Sequence, residues 1–300
     1  MKYVFIHQHR GHAPGWSVAT LCAVLRVCRS GFYDWRDRRA GEPGPMRSRR
    51  ERLCQHIRKL FDKFRGRYGA PRIHRALIDL GEACDRKTVA ALMRSMGLRA
   101  KGKKRFRHRT TDSNHDQPIA PNLLQRDFSA DAPNQKWVTD LTYVPTDEGW
   151  LYLVTVIDLF SRKVVGYAQA DHMRAELCVE ALENAARERG PIKGMFRGLI
   201  LHSDRGVQFA SAEFRAACRR HGIVQSMSDK GDCYDNAVAE SFFGTLKTEH
   251  LHGLSLPTRK HARLEVFSYI EGFYNTRRMH STLDYLSPDQ FEQQHQAKAA

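Results

Sequence analysis

Apolar residues in the first hundred positions recur at the spacing of short helices. SVATLCAVL places its apolar side chains on one helical face, and the aromatic run FYDW follows a Ser-Gly break. This pattern predicts a compact helix-turn-helix-like pair over 17–36. Residues 37–48, rich in Arg, Gly and Pro, are expected to form a linker that closes an N-terminal segment over 1–48.

A second group of three short helices is predicted farther along the chain. Amphipathic stretches cover 53–64, 73–80 and 89–96, separated by Gly66 to Pro71 and by Gly81. With its many Arg and Lys residues, this group favours a basic helix-turn-helix DNA-binding domain over 49–110. A generic helical protein-interaction module is the alternative. The polar, proline-containing stretch 111–133 is expected to be a linker.

The pattern changes at residue 134 from helical spacing to β-rich runs that later alternate with helices. Five strands and four helices are predicted there. The strands are Lys136–Val144, Trp150–Asp158, Val164–Ala168, Gly198–His202 and Ile223–Met227, and the helices are Arg174–Arg189, Ala212–His221, Asp235–Leu251 and Arg259–Tyr274. Three sequential strands followed by alternating elements predict an α/β core over 134–295, with a mixed five-stranded sheet and flanking helices.

Charge divides the chain at about the same place. The net charge is +16 for the 300 residues, with +20 in residues 1–109 and −4 in 110–300. A strongly cationic third predicts a polyanionic partner, because neutralised phosphates release condensed counterions. Residues 99–110, RAKGKKRFRHRT, carry the densest run of Lys and Arg, which is typical of segments that order on nucleic acid.

Composition excludes several classes of protein. The chain has 41% apolar and 27% charged residues, which does not fit a wholly disordered protein. No uncharged apolar stretch approaches the length of a membrane span, and the first ten residues do not resemble a secretion signal. Seven cysteines without a Cys-x-x-Cys pair argue against a disulfide framework or a zinc ribbon. We therefore expect reduced thiols in a cytoplasmic, nucleoid-associated protein.

Three acidic residues lie where a catalytic site is expected. Asp140 lies inside the first strand in WVTDLTY, where burying an unpartnered carboxylate is costly. Asp204 follows the fourth strand in LILHSDRG, and such strand ends carry ligand-binding groups in α/β sheets. Glu240 lies on the predicted helix 235–251, and 35 residues separate it from Asp204. Taken singly, each has a structural alternative: a buried hydrogen-bond acceptor, a turn cap or a solvated helix residue.

The spacing of Glu240, Gly244 and Lys247 places them along one stripe of that helix. Gly244 suits a close approach by another backbone, and Lys247 is about 10 Å along the axis from Glu240, in reach of a phosphate. Among the neighbouring polar residues, Asp158 is expected to be structural. Asp235 is expected to cap or charge the helix start, while Asn236 is a candidate to line the site.

Converging carboxylates point to metal-assisted chemistry at a phosphodiester. Two Mg²⁺ ions about 3.5–4 Å apart can clamp the attacking and leaving oxygens. Mg²⁺ takes one or two carboxylates per ion, so three carboxylates with one shared are sufficient, and Mn²⁺ is the expected substitute. Without a cation the three acids would repel one another and raise their own pKa values. We expect Asp140, Asp204 and Glu240 to be the catalytic residues and metal ligands.

Longer segments resemble a known family. WVTDLTY, HSDRGVQFAS and DNAVAESFFGTLK are similar to the D-D-35-E integrase core of retroviral integrases and insertion-sequence transposases. YLVTVIDLFSRKVVGY and YNTRRMHSTLDYLSP resemble the second-frame transposase of the insertion-sequence-three family, as does the opening of the chain. YGAPRIHRAL and LMRSMGLRA resemble that family's helix-turn-helix domain. The resemblance covers nearly the whole chain, although Asp284 stands where the family often has Gly.

The resemblance implies a ribonuclease-H-like core that uses divalent metal to cut DNA and transfer strands, without a covalent enzyme intermediate. It matches Asp140, Asp204 and Glu240 to the catalytic acids, and Lys247 to a basic residue that touches the element's terminal DNA. Further candidate DNA contacts are basic residues of the predicted DNA-binding region: Arg67, Arg72, Arg75, Lys87, Lys101, Lys103, Lys104 and Arg105.

The expected partners are double-stranded DNA, both the terminal inverted repeats of the element and the target. A second copy is expected at synapsis, as is fusion or partnership with the upstream-frame product, and no membrane is expected. Two alternatives remain open at this point. One is a ribonuclease-H-like nuclease or resolvase that cleaves without joining, and the other is a non-enzymatic DNA-binding regulator.

Overall fold

The structure is a computed structural model that describes residues 1–40, 45–102, 116–190, 196–229 and 233–299. The chain divides into two compact units, Met1–Ala100 and Lys101–Ala300. The first unit contains helices only among its described residues, and the second combines helices with a sheet. The division between the units lies ahead of residue 134, where the sequence pattern changes from helical to β-rich.

The first unit begins with three short helices: α1 (Lys2–His9), α2 (Val18–Val24) and α3 (Arg29–Ala40). Their shared core consists of Ile6, Leu21, Cys22 and Phe32, all buried. The predicted pair over 17–36 is present, but α1 was not predicted. The linker expected over 37–48 is also shorter than predicted, because α3 continues to Ala40 and the next helix begins at Pro45.

Three further helices complete the first unit: α4 (Pro45–Lys63), α5 (Ala70–Asp79) and α6 (Arg86–Ser95). Gly69 precedes α5 with Pro71 in its first turn, which suits a residue that lacks an amide hydrogen. Their inward side chains are aliphatic and aromatic, and these include Leu53, Ile57, Leu60, Tyr68, Ile73, Leu77, Val89 and Leu92. The predicted three-helix group is therefore present, but α4 begins at Pro45, eight residues before the predicted stretch, and α5 and α6 each begin three residues early.

The second unit is built on one five-stranded mixed sheet. Its strands are β1 (Lys136–Thr146), β2 (Gly149–Asp158), β3 (Val164–Ala170), β4 (Ile200–Ser203) and β5 (Val224–Met227). The strand order is β3-β2-β1-β4-β5. β1 pairs antiparallel with β2, where Asp140 lies opposite Thr155, and parallel with β4, where Val138 lies opposite His202. The strand that carries Asp140 is thus central, and β4 beside it leads directly to Asp204.

One face of the sheet is covered by α7 (Ala175–Arg189), α8 (Val207–Ala210) and α9 (Ala212–Arg220), whose apolar residues join those of the strands in one core. Gly166 on β3 makes a close approach possible, since a Cβ there would lie 2.4 Å from the Ala185 amide nitrogen of α7. Burial of this core stabilises the sheet at roughly 25 cal/mol for each square ångström of apolar surface removed from water.

Helices α10 (Ala237–Leu246) and α11 (Arg259–Tyr269) contact β1. Each runs into a π-helical turn, Lys247–Leu251 after α10 and Ile270–Tyr274 after α11. A 3₁₀ turn, Cys233–Asn236, precedes α10, and α12 (Asn275–Arg277), a 3₁₀ turn Ser281–Leu283 and α13 (Pro288–Ala299) end the chain. The two predicted continuous helices, 235–251 and 259–274, are therefore each divided between different helical types.

The stretch expected to be a linker has no helix or strand over 116–133, but the second unit holds it in place. Leu124 is 1% exposed, and the Leu123 amide donates to the Ser226 hydroxyl at 2.9 Å. Free thiols occur at each of the six cysteines for which the structure describes a side chain. Within the described ranges, no helix combines the length and apolarity needed to cross a membrane.

Candidate active site

Asp140 lies on the central strand β1 and is half-buried. Successive side chains of a strand point to opposite faces, so Thr142, two residues later, lies on the same face as Asp140. Its Oδ1 accepts a hydrogen bond from the Leu141 amide at 2.8 Å. α10 packs against this strand, so the carboxylate lies between the sheet and the helix that carries Glu240.

Asp204 follows β4 directly, at the start of a turn. Its Oδ1 accepts a hydrogen bond from the Gly206 amide at 3.0 Å, and its carbonyl accepts one from the Ser203 hydroxyl at 2.9 Å. A Cβ on Gly206 would lie 3.0 Å from that same carboxylate oxygen, which favours glycine there. The turn therefore fixes this carboxylate next to the end of β4, as expected for a ligand-binding strand end.

Glu240 is exposed in the first turn of α10. The helix start is fixed to β1, because the buried Asn236 side-chain amide donates to the Thr139 carbonyl at 3.1 Å. Asn236 thus connects the residue before Asp140 with the helix that carries Glu240. The sequence suggested Asn236 as a lining residue, and the structure places it at this junction.

The pKa of Asp140 shows how the three acids are related in space. Burial raises this pKa well above its usual range, and the charge of Asp204 raises it further. The Leu141 amide opposes the rise, whereas the charge of Glu240 adds to it. The charges of Asp204 and Glu240 thus both act on Asp140, and we call these three carboxylates the acidic neighbourhood. A cation bound among them would relieve this repulsion.

The donor chemistry near Asp140 suits a hard divalent cation. The carboxylates of Asp140 and Asp204 offer oxygen atoms, which Mg²⁺ prefers as ligands, and the buried Asn236 Oδ1 just before α10 has no hydrogen-bond partner. However, no group of three or more His, Cys, Asp or Glu side chains within the described ranges is arranged to hold a metal ion. The three carboxylates therefore do not form a preassembled metal-binding cluster in this structure.

Lys247 does not continue the helical stripe outward. It begins the π-helical turn, and its Nζ donates to the Thr142 hydroxyl at 2.7 Å while lying 5.0 Å from the centre of the Tyr143 ring. Burial lowers the pKa of Lys247, and the charge of Asp140 partly offsets this effect. The ammonium group is thus held at the edge of the acidic neighbourhood.

Two other acidic residues of the second unit, Asp158 and Asp235, have structural partners. Asp158 is buried and accepts hydrogen bonds from the amides of Asn134 and Phe160, and it pairs with Arg189 at 3.1 Å. Asp235 is also buried, and it accepts from the Asn122 side chain at 3.0 Å and pairs with Arg126 at 3.2 Å. These contacts agree with the structural role expected for Asp158 and show Asp235 anchoring the 116–133 stretch.

The candidate DNA contacts of the first unit differ in exposure. Lys87 is exposed near the start of α6, whereas Arg67 is only 7% exposed and offers little of its side chain to a phosphate. Arg72 is half-buried with its guanidinium 5.4 Å from the Tyr68 ring centre, and Arg75 pairs with Asp79 at 3.0 Å. In the second unit, Lys101 donates to the Glu249 carbonyl at 3.2 Å. Lys103, Lys104 and Arg105 lie outside the described residues.

Two features near the site were missed from the sequence. The Thr142–Lys247 contact could have been suspected, since Thr142 shares a strand face with Asp140. The second is a buried pair in the C-terminal helices, where Arg278 donates twice to Glu249, at 2.9 and 2.7 Å. No spacing rule predicts that pair, because Glu249 lies in the π-helical turn after α10 whereas Arg278 directly follows α12.

Three family models match successive parts of the chain. The HTH-like domain model matches residues 48–106, and two models described as integrase core domain match residues 130–233 and 240–295. The candidate acids fall within the integrase core matches: Asp140, Asp204 and Glu240.

Similar proteins include the transposase InsF for insertion sequence IS3A of Escherichia coli strain K12. The two are 45% identical over 297 residues, which are 97% of this chain and 98% of that protein. A 31 kDa uncharacterized protein of insertion element IS600 from Shigella sonnei is 42% identical over 280 residues, 93% of this chain and all of that protein. The catalytic core domain of HTLV-2 integrase in complex with magnesium covers 55% of this chain and 99% of its own, at 18% identity and a TM-score of 0.40.

Proposed function

The chain belongs to the insertion-sequence-three family of integrase-core transposases, and from that premise we propose that it cuts and joins DNA by metal-assisted phosphoryl transfer at Asp140, Asp204 and Glu240. The observation that carries this proposal is the neighbouring position of two acids: Asp140 lies on the central strand β1, and Asp204 directly follows β4, which pairs with β1. Such a cluster is unfavourable by itself and is stabilised when a cation binds.

Each residue has a separate role in the proposal. Asp140, on β1, and Asp204, directly after the adjacent β4, would provide a fixed pair of ligands, while the exposed Glu240 would move to complete the set. A pair of divalent ions would supply the charge that stabilises the attacking and leaving oxygens. Mg²⁺ is the expected ion and Mn²⁺ its substitute.

The proposed chemistry has two steps. In the first, a water oxygen attacks a phosphodiester at the element's end, a new P–O bond forms, and the P–O3′ bond breaks to release a 3′-hydroxyl. In the second, that 3′-oxygen attacks another phosphorus in line, a new P–O bond forms, and the P–O3′ bond of the attacked phosphodiester breaks. The attacking hydroxyl loses its proton to solvent, and the released 3′-oxygen takes one up. The second step joins one DNA end to another, which produces either a circle or an insertion.

The DNA partner follows from charge and domain content. Residues 1–109 carry a net charge of +20, and residues 48–106 match an HTH-like domain. This part would hold the terminal repeats, while Lys247 would meet DNA at the edge of the site. Joining two DNA ends requires both ends to be held together, so the proposal includes a second copy of the chain at synapsis. It also includes fusion or partnership with the upstream-frame product.

The test uses the full-length chain with a labelled duplex that carries the element's terminal repeat. We expect cleavage and joined products with Mg²⁺ or Mn²⁺, and neither after the ions are removed by chelation. Asp204→Asn and Glu240→Gln are each expected to lower both products by at least about 100-fold, because each removes a carboxylate that would hold the ions stabilising the transition state. Glu213→Gln, an exposed carboxylate on α9, is the matched control and should keep full activity.

The same assay separates the two alternatives. A nuclease or resolvase would release 3′-ends but give no joined product with any ion. A DNA-binding regulator would bind the duplex and leave it uncut, and its function would survive replacement of all three acids. Activity close to that of the unaltered chain in Asp204→Asn would contradict the proposal itself.

A further inference from the structure

We propose that residues 1–40 form a second DNA-reading unit, in which α3 enters the major groove of duplex DNA. The family models described above begin at residue 48, so they assign nothing to this segment. The inference rests on the proposed DNA-processing function and adds a second contact surface to it. The inference is supported by the arrangement of α2 and α3 and by the residues on the solvent-facing side of α3.

The segment has the connectivity of a helix-turn-helix. α2 and α3 are joined by the four-residue turn Leu25–Cys28, the length typical of that motif. Arg26 in the turn has a φ of 51°. The Val27 amide donates to the Cys22 carbonyl at 2.9 Å, and Lys2 of α1 donates to the Leu25 carbonyl at 3.0 Å. The turn is therefore fixed from both sides, as a rigid reading element requires.

The inner face of α3 is fully used for packing. Phe32 is completely buried in the small core. A Cβ on Gly31 would lie 2.5 Å from the Tyr3 hydroxyl, so glycine lets α1 lie close against α3. The Tyr3 ring also lies 6.1 Å from that of Trp35. These contacts fix which side of α3 faces solvent.

The outer face of α3 presents hydrogen-bonding groups in its first two turns. Arg29 and Ser30 are exposed, and Tyr33 is half-buried beside them. The guanidinium groups of Arg29 and Arg36 lie 5.8 and 4.9 Å from the Tyr33 ring centre, which restrains them before DNA binds. In helix-turn-helix proteins the N-terminal residues of the second helix contact base edges, and Arg is the commonest reader of guanine.

The same face also carries Asp34 and Asp37, and Asp37 pairs with Arg36 at 2.8 Å. A carboxylate there can accept from a cytosine amino group, which favours base reading over simple phosphate attraction. The segment as a whole still has a net charge of +5. This combination of charges favours duplex DNA as the partner. The positive net charge is attracted to the phosphates, and the Arg and Asp side chains on the outer face of α3 add selectivity among bases.

The experiment measures DNA binding by the full-length chain and its single variants, and each Arg→Gln variant is compared with another that removes the same charge. Affinities are measured by fluorescence anisotropy over a salt series and on a pool of randomised duplexes. We expect Arg29→Gln to weaken binding to the preferred duplex by about tenfold, and Ser30→Ala to change the preferred base at one position. Arg10→Gln, an exposed arginine at the end of α1, is the matched control and should leave the preferred sequence unchanged.

Lys87→Gln, exposed on α6, separates this inference from the proposed function. If Lys87→Gln weakens binding while Arg29→Gln and Ser30→Ala retain the affinity, salt slope and sequence preference of the unaltered chain, the second DNA-reading unit is refuted and the proposed function stands. If the unaltered chain does not bind duplex DNA, the proposed function fails too. Altered self-association with unchanged DNA binding in the α3 variants would assign the face to protein contact and would also overturn the inference. Matching circular dichroism spectra confirm that each variant is folded.

Discussion

Replacing Glu249 by Gln is predicted to destabilise the Lys101–Ala300 unit strongly. Arg278 donates to both carboxylate oxygens, at 2.9 and 2.7 Å, and the Tyr269 hydroxyl donates to one of them at 3.1 Å. The side chains of the ion pair are 7% and 8% exposed. Burial alone would lower the pKa of Arg278, but the hydrogen bonds and charge of Glu249 raise it above its usual value. The pair is thus a buried unit whose two charges depend on each other.

The magnitude follows from what the substitution leaves behind. Gln keeps the shape of Glu249, but it leaves the Arg278 guanidinium buried without an opposite charge. Breaking a buried ion pair in this way costs about 3–5 kcal/mol. For a unit of this size, 1 kcal/mol corresponds to roughly 2–4 °C in Tm, so we expect a loss of about 6–20 °C.

The measurement is thermal melting of the full chain followed by circular dichroism, together with urea unfolding. The control is Glu176→Gln, since its pair with Arg174 is about 70% exposed on both sides and should contribute little. Replacing both buried partners, with Glu249→Leu and Arg278→Met, is expected to recover much of the loss because neither charge is then stranded. A loss below about 1 kcal/mol for Glu249→Gln would refute this reasoning.

Three further predictions concern the site and its surroundings. Thr142→Val removes the acceptor of the Lys247 ammonium and should lower strand transfer about tenfold, whereas Thr142→Ser, which keeps the hydroxyl, should retain activity. Burial lowers the pKa of His202 to about 4, whereas histidine in the unfolded chain titrates near 6.5. The free energy of unfolding, measured with urea, should therefore be highest above pH 6.5 and should fall by on the order of 3 kcal/mol as the pH approaches 4. His202→Gln should remove most of that pH dependence, and a variant with the same pH dependence as the unaltered chain would contradict the assignment to His202. Asp284 has a φ of 49°, so Asp284→Gly should be neutral or raise the melting temperature slightly, and Asp284→Val should lower it.

The sheet could be predicted because its strands are marked in the sequence. Apolar runs bounded by turn residues gave all five strands, and β1 begins at Lys136 as expected. The position of Asp140 within such a run, and of Asp204 at a strand end, could be inferred for the same reason. The integrase core and HTH-like matches confirm the expected fold class and the family.

The features that sequence reasoning missed depend on contacts between distant segments. α1 has no regular apolar face, and only Ile6 is buried, so it is defined by packing against α2 and α3. The π-helical turn that begins at Lys247 changes the hydrogen-bond register but not the local residue pattern. The contact of the Lys247 ammonium with the Thr142 hydroxyl could therefore be identified only from the structure. The metal-ligand roles of the three acids stay predictions.

The most direct test of the central claim is a crystal structure of the chain soaked with Mn²⁺, with data collected at a wavelength where manganese scatters anomalously. The account predicts an anomalous peak between the carboxylates of Asp140 and Asp204, with Glu240 drawn toward it and no peak in an Asp204→Asn crystal. Anomalous density that is absent, or that lies away from Asp140, would contradict a metal site built from these acids.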